Sequence, residues 1–265
     1  MKPIISIITV SYNSESTIRR TIESITNQTF QDFEYIIIDG GSSDGTNKII
    51  EEYKSILGDK LIHVSEPDNG IYDAMNKGIN LAKGKIVGIV NSDDWLAPNA
   101  FEIVENSSKD QDLSNTIFCG WMSFHYKDGR EQLLKTSSRR FIRHLKRYSM
   151  GVNHPATFVP LDIYKRIGLF DTNLKISADL DFIIRCWKEN VVFHFVDYAL
   201  TNMSDGGVSN IYSKQVNLDM KYILRKYSKN KFEYFLYLTR YSIKNKIKLI
   251  WGDKFIYRYR NLNRR

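Results

Sequence analysis

Polar clusters follow three apolar runs of the sequence, and their residue types suit the binding of a polar ligand. The clusters are Ser11-Tyr12-Asn13, the stretch from Asp39 to Asp44, and the stretch from Asn91 to Asp94. In an open parallel sheet, ligands bind outside the carboxyl ends of the strands. One such cluster is as well explained by a turn, but three together, two of them acidic, favour a shared binding site.

The last cluster contains two adjacent carboxylates, Asp93 and Asp94, directly after the apolar run 86–90. Like charges at the mouth of a buried strand repel each other, which raises the free energy of the folded state. This cost indicates a functional reason for the pair. The structural alternative is that Asp93 caps the N-terminus of a helix around Pro98.

The elements that position these clusters alternate along the first hundred residues. Runs rich in β-branched residues predict strands at residues 4–10, 33–38, 61–64 and 86–90. Between them, the isoleucines at 18, 22 and 25 have helical spacing after an N-cap at Ser14 or Ser16. Thr46 can cap a second helix, and residues 70–84 predict a third that is closed by Gly84.

This alternation is typical of an α/β protein with a doubly wound, mostly parallel sheet. Past Pro98 the alternation weakens, with strands predicted at 117–126 and 191–196 and helices at 161–168 and 178–189. We therefore predict two abutting halves, residues 1–110 and 111–215, with no obvious linker. Residues 216–265 form a third, C-terminal helical segment.

Composition excludes several classes of protein. Of the 265 residues, 42% are hydrophobic and 13% aromatic, which predicts an ordered globular protein. The two cysteines, Cys119 and Cys186, are too far apart to indicate a disulfide framework or a zinc site, which suits a reducing compartment. No signal peptide is recognisable, and no apolar run approaches the roughly 18 residues that span a bilayer. The expected location is therefore cytoplasmic.

The net charge of +8 arises from the C-terminal region. Residues 221–265 contain 14 Lys/Arg and 2 Asp/Glu, whereas residues 1–220 contain 24 Lys/Arg and 28 Asp/Glu. Aromatic and aliphatic residues interleave with these C-terminal cations, a pattern typical of a helix lying on an anionic membrane. The alternative is a helix packed on the body with a solvated basic face. Because the rest of the chain is mildly acidic, we expect no nucleic acid partner.

Several motifs together resemble the inverting glycosyltransferases of family 2. The glycines lack the G-x-G-x-x-G spacing of dinucleotide sites and the Walker pattern. Instead "SIITVSYN", "IIIDGGSSDGT" and "GIVNSDDW" occur in the order and spacing of that family, and the likeness covers roughly residues 4–210. The resemblance implies the GT-A fold, a Rossmann-like mixed, mostly parallel sheet flanked by helices.

The resemblance also implies a reason for the acidic pair. Family members hold Mn²⁺ or Mg²⁺ with a D-x-D motif after this strand, and the cation binds the diphosphate of a nucleotide-sugar, consistent with its preference for carboxylate oxygens. Here the first position of the motif is Asn91, which leaves Asp93 as the main metal ligand. Ser92 belongs to the same donor-binding loop, and Asp94 assists through water or sugar hydroxyls.

Further donor-binding residues follow from the same resemblance. Asp39 matches the acceptor of a hydrogen bond from the base, usually uracil. Ser11, Tyr12 and Asn13 match the loop that lines the base, where Tyr12 could stack, and Ser42 could contact ribose. Asp44 is better explained as a cap of the helix at Thr46.

The stretch "DNGIYDAMNKG" replaces the family's G-x-x-x-A-R-N-x-G. Asn76 matches and is expected near the donor, but Met75 stands where an arginine would approach the diphosphate. Asp73 and Tyr72 could contact donor hydroxyls, although a solvated helix face explains them almost as well.

Asp179 matches the catalytic base of the family, with Ala178 in place of the usual glutamate. Asp179 and Asp181 point about 200° apart on a helix, so only one can face the cleft. A plain charge at a helix N-terminus is the alternative for Asp179. His154 is placed near the acceptor or the phosphates, with a structural role almost equally supported. The loop 203–210 could close over bound nucleotide.

The resemblance, taken with the basic C-terminal region, implies transfer of one sugar from a nucleotide-sugar, with UDP as the nucleotide, to a lipid-linked saccharide in polysaccharide biosynthesis. The Q-x-x-R-W motif of processive members is absent from the sequence. Two rivals remain. A nucleotidyltransferase should carry an N-terminal Gly-rich segment with a cation for triphosphate, which "VSYNSEST" lacks. A non-catalytic sugar-nucleotide-binding protein is kept open by Asn91 and Met75.

Overall fold

The computed structural model describes residues 2–205 and 213–243, and the chain divides into two compact units, 1–216 and 217–265. All strands of the described residues lie in the first unit and form one sheet. Its strands are β1 (Ile5–Ser11), β2 (Phe33–Asp39), β3 (Leu61–Ser65), β4 (Ile86–Ile89), β5 (Trp95–Leu96), β6 (Thr116–His125), β7 (Glu131–Leu134), β8 (Thr157–Pro160) and β9 (Val192–Ser204). The division between residues 110 and 111 is not visible as a boundary between compact units and stays a prediction.

Helices connect most of these strands. They are α1 (Ile18–Thr26), α2 (Thr46–Glu52), α3 (Lys54–Leu57), α4 (Ile71–Leu81), α5 (Ala100–Ser108), α6 (Ser138–Leu145), α7 (Leu161–Ile167) and α8 (Ala178–Lys188). A short 3₁₀ turn, His154–Ala156, precedes β8.

The first part of the sheet has the predicted parallel arrangement, in the order β3-β2-β1-β4. Every residue of β1 and β2 is buried, as expected for parallel strands covered on both faces. The register pairs Ser11 with Asp39 and Asp39 with Ser65, so three polar residues lie side by side at the carboxyl edge. The predicted clustering of strand ends is therefore confirmed for these two clusters.

The remaining strands continue the same sheet in mixed orientation. β8 pairs antiparallel with both β4 and β6, while β6 and β9 run parallel over their length with shifts in register near Trp121. Phe118 and Phe158 lie fully buried at this junction. The mixed α/β fold that the sequence predicted is confirmed, and the two predicted halves share one continuous sheet.

Two predicted helix ends are wrong. Helix α1 begins at Ile18 without a side-chain cap, and Ser14 instead shares a hydrogen bond of 2.7 Å with Ser92 across the site. Helix α4 ends at Leu81, three residues before Gly84. Gly84 is needed for close packing rather than for helix termination, because a Cβ there would lie 2.6 Å from the backbone nitrogen of Ser6.

The second unit is helical where it is described. The helix Ser213–Tyr227 crosses into it, and residues 231–243 are helical with Phe232, Phe235 and Ile243 exposed. Most of the basic residues behind the predicted membrane contact lie outside the described residues, as does most of the loop 203–210. In the described part of the chain, no helix combines the length and apolarity that crossing a bilayer requires.

Candidate active site

A cavity of about 530 Å³ opens at the carboxyl edge of the sheet, where the loops after β1 and β4 meet α4 and the start of α8. Its wall contains seven of the predicted site residues and two charged residues that were not predicted. The predicted ones are Ser11, Tyr12, Asn13, Ser92, Asp93, His154 and Asp179, of which Asp179 and Asp93 are the proposed base and metal ligand; the unpredicted charged ones are Asp68 and Lys175. The remaining predicted residues are not part of this wall.

The loop after β1 is held by the loop after β2. The backbone N–H of Asn13 donates to Ser42 Oγ at 2.8 Å, and Asn13 Oδ1 accepts from the N–H of Ser43 at 3.0 Å. Asn13 has a φ of 47°, a left-handed conformation that asparagine tolerates better than most residues. These bonds leave the Tyr12 ring 66% exposed at the cavity, in a position to stack against a planar ligand.

Asp39 is the centre of a hydrogen-bonded network behind the cavity. It has no exposed surface and accepts bonds from Ser11 Oγ at 3.0 Å, Ser65 Oγ at 2.7 Å and the N–H of Ser42 at 2.8 Å. Burial raises the pKa of the Asp39 carboxyl, but these bonds and the amide of Asn47 outweigh it and hold the pKa below its ordinary value. Ser42 Oγ donates to Asp39, and neither side chain is part of the cavity wall, so their direct contacts with the nucleotide stay a prediction.

The two adjacent carboxylates after β4 have different environments. Asp93 lines the cavity, whereas Asp94 is fully buried and faces away from it. Burial, and then the charge of Asp93, raise the pKa of Asp94 to about 8. Asp94 Oδ1 and Asn91 Oδ1 are buried without a hydrogen-bond partner, while Asn91 Nδ2 lies 3.4 Å from Asp94 Oδ2. The predicted assistance of Asp94 through water or sugar hydroxyls stays a prediction, and its side chain has no exposed surface in this structure.

Arg20, which the sequence analysis did not single out, holds the acidic loop in place. Its Nη2 donates to the carbonyl of Asp93 and to Ser204 Oγ, both at 2.8 Å, and its guanidinium lies 3.7 Å from the centre of the Trp95 ring. Arg20 thus connects α1, the acidic loop and the end of β9. An arginine on the polar face of a helix gives no sequence signal for such a role.

Helix α4 contributes Tyr72 and Met75 to the cavity, but not the two residues that were predicted there. The Asn76 side chain bonds the backbone of Phe170, with its amide donating at 2.9 Å and its carbonyl accepting at 3.0 Å. Asp73 Oδ2 accepts from the N–H of Asn69 at 3.0 Å and lies 3.9 Å from Lys77 Nζ. Asn76 joins α4 to the segment before α8, and Asp73 holds the loop that precedes α4.

One part of the cavity wall is formed by Asp179, Tyr72 and His154. The Tyr72 hydroxyl lies 2.7 Å from the carbonyl of Ile176 and 3.2 Å from Asp179 Oδ1, so its proton can be shared between these acceptors. Burial, and then the charge of Asp179, raise the pKa of Tyr72 well above its ordinary value, so the hydroxyl keeps its proton. Burial lowers the pKa of His154 against the opposing effect of Asp179, and His154 Nε2 is buried without a hydrogen-bond partner.

Asp181 faces the interior, as the helical spacing predicted. Its side chain is fully buried and pairs with Arg185, with a separation of 2.9 Å between Asp181 Oδ2 and Arg185 Nε. The same guanidinium donates to the carbonyls of Ile167, Gly168 and Leu169. Asp181 therefore anchors the loop between α7 and α8, and Asp179 is the carboxylate of this helix that lines the cavity.

Asp68 and Lys175 complete the cavity wall. Asp68 Oδ1 accepts from the N–H of Gly70 at 2.8 Å, and Asp68 Oδ2 lies so close to Gly40 that a Cβ there would be only 2.6 Å from it. Lys175 Nζ lies 3.3 Å from the carbonyl of Asn69. The sequence offered a signal for Asp68, an acidic residue before Asn-Gly in a loop, but none for Lys175.

The oxygen ligands available at Asp93 suit a divalent cation whose coordination would be completed by a bound diphosphate. Among the described residues, no three His, Cys, Asp or Glu side chains gather into a protein-only metal cage. Mg²⁺ is commonly held by one or two carboxylates, substrate phosphates and water. Asp93 supplies a carboxylate at the cavity, and Asn91, whose Oδ1 is buried without a hydrogen-bond partner, lines the same cavity.

Comparison with solved structures identifies the fold. The structure of Staphylococcus aureus TarS 1–349 in complex with UDP-GlcNAc aligns with a TM-score of 0.70 and 18% identity, covering 96% of this chain and 77% of that one. A mannosyltransferase from Pyrobaculum calidifontis, solved with GDP-Man and Mn²⁺, aligns with a TM-score of 0.61 and 15% identity, covering 90% and 69%. The chain spans 46% of the longer TarS structure. The fold is that of the GT-A glycosyltransferases.

Sequence comparison gives the family. The family model for glycosyl transferase family 2 matches residues 6–163, and the chain belongs to this family of glycosyltransferases. An uncharacterized glycosyltransferase of Methanocaldococcus jannaschii is 30% identical over 245 residues, which is 87% of this chain and 81% of that protein. A PGL/p-HBAD biosynthesis glycosyltransferase of Mycobacterium bovis is 29% identical over 220 residues, 78% of this chain and 80% of that protein. The resemblance stated from the motifs is confirmed.

Proposed function

We propose that this chain is an inverting glycosyltransferase that moves one sugar from a UDP-sugar to a hydroxyl group of a lipid-linked saccharide. The observation that carries the proposal is the joint presence of Asp179 and Asp93 in the wall of one cavity, on loops far apart in sequence. One carboxylate is available for proton transfer and the other for the diphosphate side of the donor. The fold and family supply the reaction class.

Asp179 is the group that would accept the proton of the attacking hydroxyl. The new bond forms between the acceptor oxygen and the anomeric carbon, while the bond from that carbon to the diphosphate oxygen breaks and the diphosphate leaves with the electron pair. Attack from the face opposite the diphosphate inverts the anomeric centre. A positioned base contributes about 10²–10⁴-fold to such a step.

Tyr72 and His154 support Asp179 in different ways. The Tyr72 hydroxyl lies within hydrogen-bond distance of Asp179 Oδ1 and of the Ile176 carbonyl, which restrains the orientation of the carboxylate. His154 is held neutral by burial and keeps an unpartnered Nε2 beside the cavity. We assign His154 a hydrogen bond to the acceptor or to the donor phosphates.

In this proposal, binding of the donor diphosphate depends on Asp93. With Met75 in place of an arginine, the chain needs another source of positive charge for the phosphates, and Asp93 with Asn91 would hold Mn²⁺ or Mg²⁺ there. When bound, the cation stabilises the negative charge that develops on the leaving diphosphate. Lys175 is a second cation in the cavity wall.

Uridine is proposed as the nucleoside because the exposed Tyr12 ring and the Ser11–Asn13 loop provide a flat surface for a base. Structures of TarS with UDP and with UDP-GlcNAc, which share the fold, support this choice. Asp39 acts indirectly in this proposal, since its hydrogen bonds fix the two loops between which the base would lie.

The positive charge of the C-terminal region supports two further parts of the proposal. They are the lipid-linked acceptor and a peripheral position of the protein on the cytoplasmic face of the membrane. Residues 221–265 carry 14 Lys/Arg against 2 Asp/Glu. Exposed aromatic residues, Phe232 and Phe235, occur within the described part of this region. Cations combined with aromatic residues suit the surface of an anionic membrane.

Thermal stability with nucleotide-sugars tests the donor. A UDP-sugar at about 100 times its Kd should stabilise the protein by about 2.7 kcal/mol when Mn²⁺ is present, and markedly less in EDTA. Asp93→Asn should remove the Mn²⁺-dependent part and leave the unliganded Tm unchanged. Equal UDP binding in EDTA and in the variant would show that Asp93 is not a metal ligand.

Turnover separates catalysis from binding alone. The departures at Asn91 and Met75 favour one second candidate, a sugar-nucleotide-binding protein without transferase activity. Formation of a glycosylated product, or slow hydrolysis of the UDP-sugar, excludes this candidate. Tight donor binding with no product from any lipid-linked acceptor would favour it.

A further inference from the structure

Helix α6 and the residues beside it are strongly basic, although residues 1–220 as a whole carry a net negative charge. Residues 135–147 contain six Lys/Arg and no Asp/Glu. The other residues of 1–220 then hold 18 Lys/Arg against 28 Asp/Glu, a net charge of −10. Residues 135–147 thus carry a charge of +6 within a region that is otherwise acidic, and the sequence analysis did not single them out.

The structure gathers these cations on one side of α6. Phe141 and Leu145 are buried and fix the helix to the protein. At 100° per residue, the exposed residues Arg139, Arg140, Ile142 and Arg143 occupy an arc of about 160° on the opposite side. We call this arc, together with the exposed Lys146 and Arg147 of the turn that follows α6, the basic face.

Three arginines of the basic face lack compensating acids in the part of the chain that the structure describes. Within residues 2–205 and 213–243, no carboxylate lies within ion-pair distance of Arg139, Arg143 or Arg147. Some exposed cations elsewhere in the first unit form ion pairs, such as Arg19 with Glu52 and Lys165 with Asp162. Ile142 lies among these arginines with 43% of its surface exposed. Cations surrounding an exposed aliphatic side chain suit a surface that combines anionic headgroups with an apolar interior.

The basic face is close to the cavity along the chain. A Cβ on Gly151 would lie 2.8 Å from Phe141 Cα, so residue 151 packs directly on α6. Thr136 Oγ1 also donates to the carbonyl of Gly151 at 2.8 Å. His154, in the cavity wall, is three residues further on, which is at most about 11 Å of extended chain. Gly151 contacts the buried side of α6, so a surface that binds the opposite, basic face would lie across the helix from the segment that leads to His154.

We propose that α6 is a docking surface of the catalytic unit for an anionic lipid bilayer, with the arginines bound to headgroup phosphates and Ile142 inserted between them. This deepens the proposed action on a lipid-linked acceptor, because it would bring the cavity to the membrane in which such an acceptor is held. It is independent of the basic C-terminal region, which lies in the second unit.

Vesicle binding by the full chain tests this assignment without donor or acceptor, so failed glycosyl transfer and failed docking are separate results. The test variant is Arg139→Glu/Arg143→Glu. The matched control is Lys48→Glu/Lys85→Glu, which changes the net charge equally at two exposed sites of the same unit. All proteins keep the same C-terminal region, so differences report on α6.

Each cation near an anionic surface contributes roughly a fivefold gain in affinity. The test variant should bind vesicles of phosphatidylserine and phosphatidylcholine at least about 25-fold more weakly, the control less than about threefold more weakly, and the loss should shrink as salt increases. UDP-sugar hydrolysis by the test variant should be unchanged. Ile142→Ser should weaken vesicle binding at high salt, where screening leaves the apolar contact.

Two results would overturn the proposal. Equal vesicle binding by the test and control variants would show that α6 does not contact lipid. Binding of a 20-nucleotide RNA that is tighter than vesicle binding and is lost in Arg139→Glu/Arg143→Glu would assign the basic face to nucleic acid instead.

Discussion

Asp181→Asn is expected to destabilise the protein without removing its chemistry. The side chain of Asp181 is fully buried, and its partner Arg185 is only 20% exposed and also bonds three backbone carbonyls between α7 and α8. Removing one member of a buried pair costs about 3–5 kcal/mol. The three carbonyl bonds remain, so we expect the lower end of this range, about 3 kcal/mol.

For a domain of this size, about 3 kcal/mol corresponds to a decrease in Tm of roughly 6–12 °C. Differential scanning calorimetry measures the Tm, and initial rates well below it measure the chemistry. The control, Asp162→Asn, breaks an exposed pair with Lys165 and should change Tm by less than about 2 °C. An unchanged Tm together with a hundredfold loss of kcat in Asp181→Asn would refute the assignment and make Asp181 the candidate base.

Three further predictions address the same region and its scaffold. Tyr72→Phe should lower kcat about tenfold with little change in donor Kd, because it removes the hydroxyl beside Asp179; equal kcat would show that the hydroxyl does not position the base. Gly84→Ala should lower the stability by about 1–3 kcal/mol in urea unfolding, because its Cβ would meet the backbone of Ser6, and an unchanged midpoint would contradict this. Burial lowers the pKa of His154 below its unfolded value of 6.5, so folding favours the neutral imidazole and stability is lost as the pH falls below that value. Wild type should therefore lose more Tm between pH 7.5 and 5.5 than His154→Gln, and parallel losses would contradict a buried neutral histidine.

The sequence predicted the strands well because their local pattern is strong. The β-branched runs at β1, β2 and β4 are buried on both faces, so continuous apolar runs there reflect the tertiary structure directly. The opposite orientations of Asp179 and Asp181 also followed from helical geometry alone. Helix ends were less predictable, because a hydroxyl such as that of Ser14 can serve a distant partner, here Ser92, instead of a cap.

The roles of polar residues depended on partners that are distant in sequence. Asp39 is satisfied by serines at positions 11, 42 and 65, which come together only in the folded sheet. Asn76 and Phe170 are likewise 94 positions apart, yet their bonds remove Asn76 from the cavity. Family motifs located these residues at the site, but only the three-dimensional partners distinguish a cavity wall from its support.

The central claim is that Asp179 removes the proton of the acceptor in a cavity that binds the nucleotide-sugar, and the turnover of Asp179→Asn tests it most directly. Asparagine keeps the size of the side chain but cannot accept the proton at that carboxylate. The account predicts a decrease in kcat of about 10²-fold or more, roughly 2.7 kcal/mol of barrier, with the UDP Kd within twofold of wild type and an unchanged Tm. Wild-type turnover in Asp179→Asn, or loss of UDP binding in place of turnover, would contradict it.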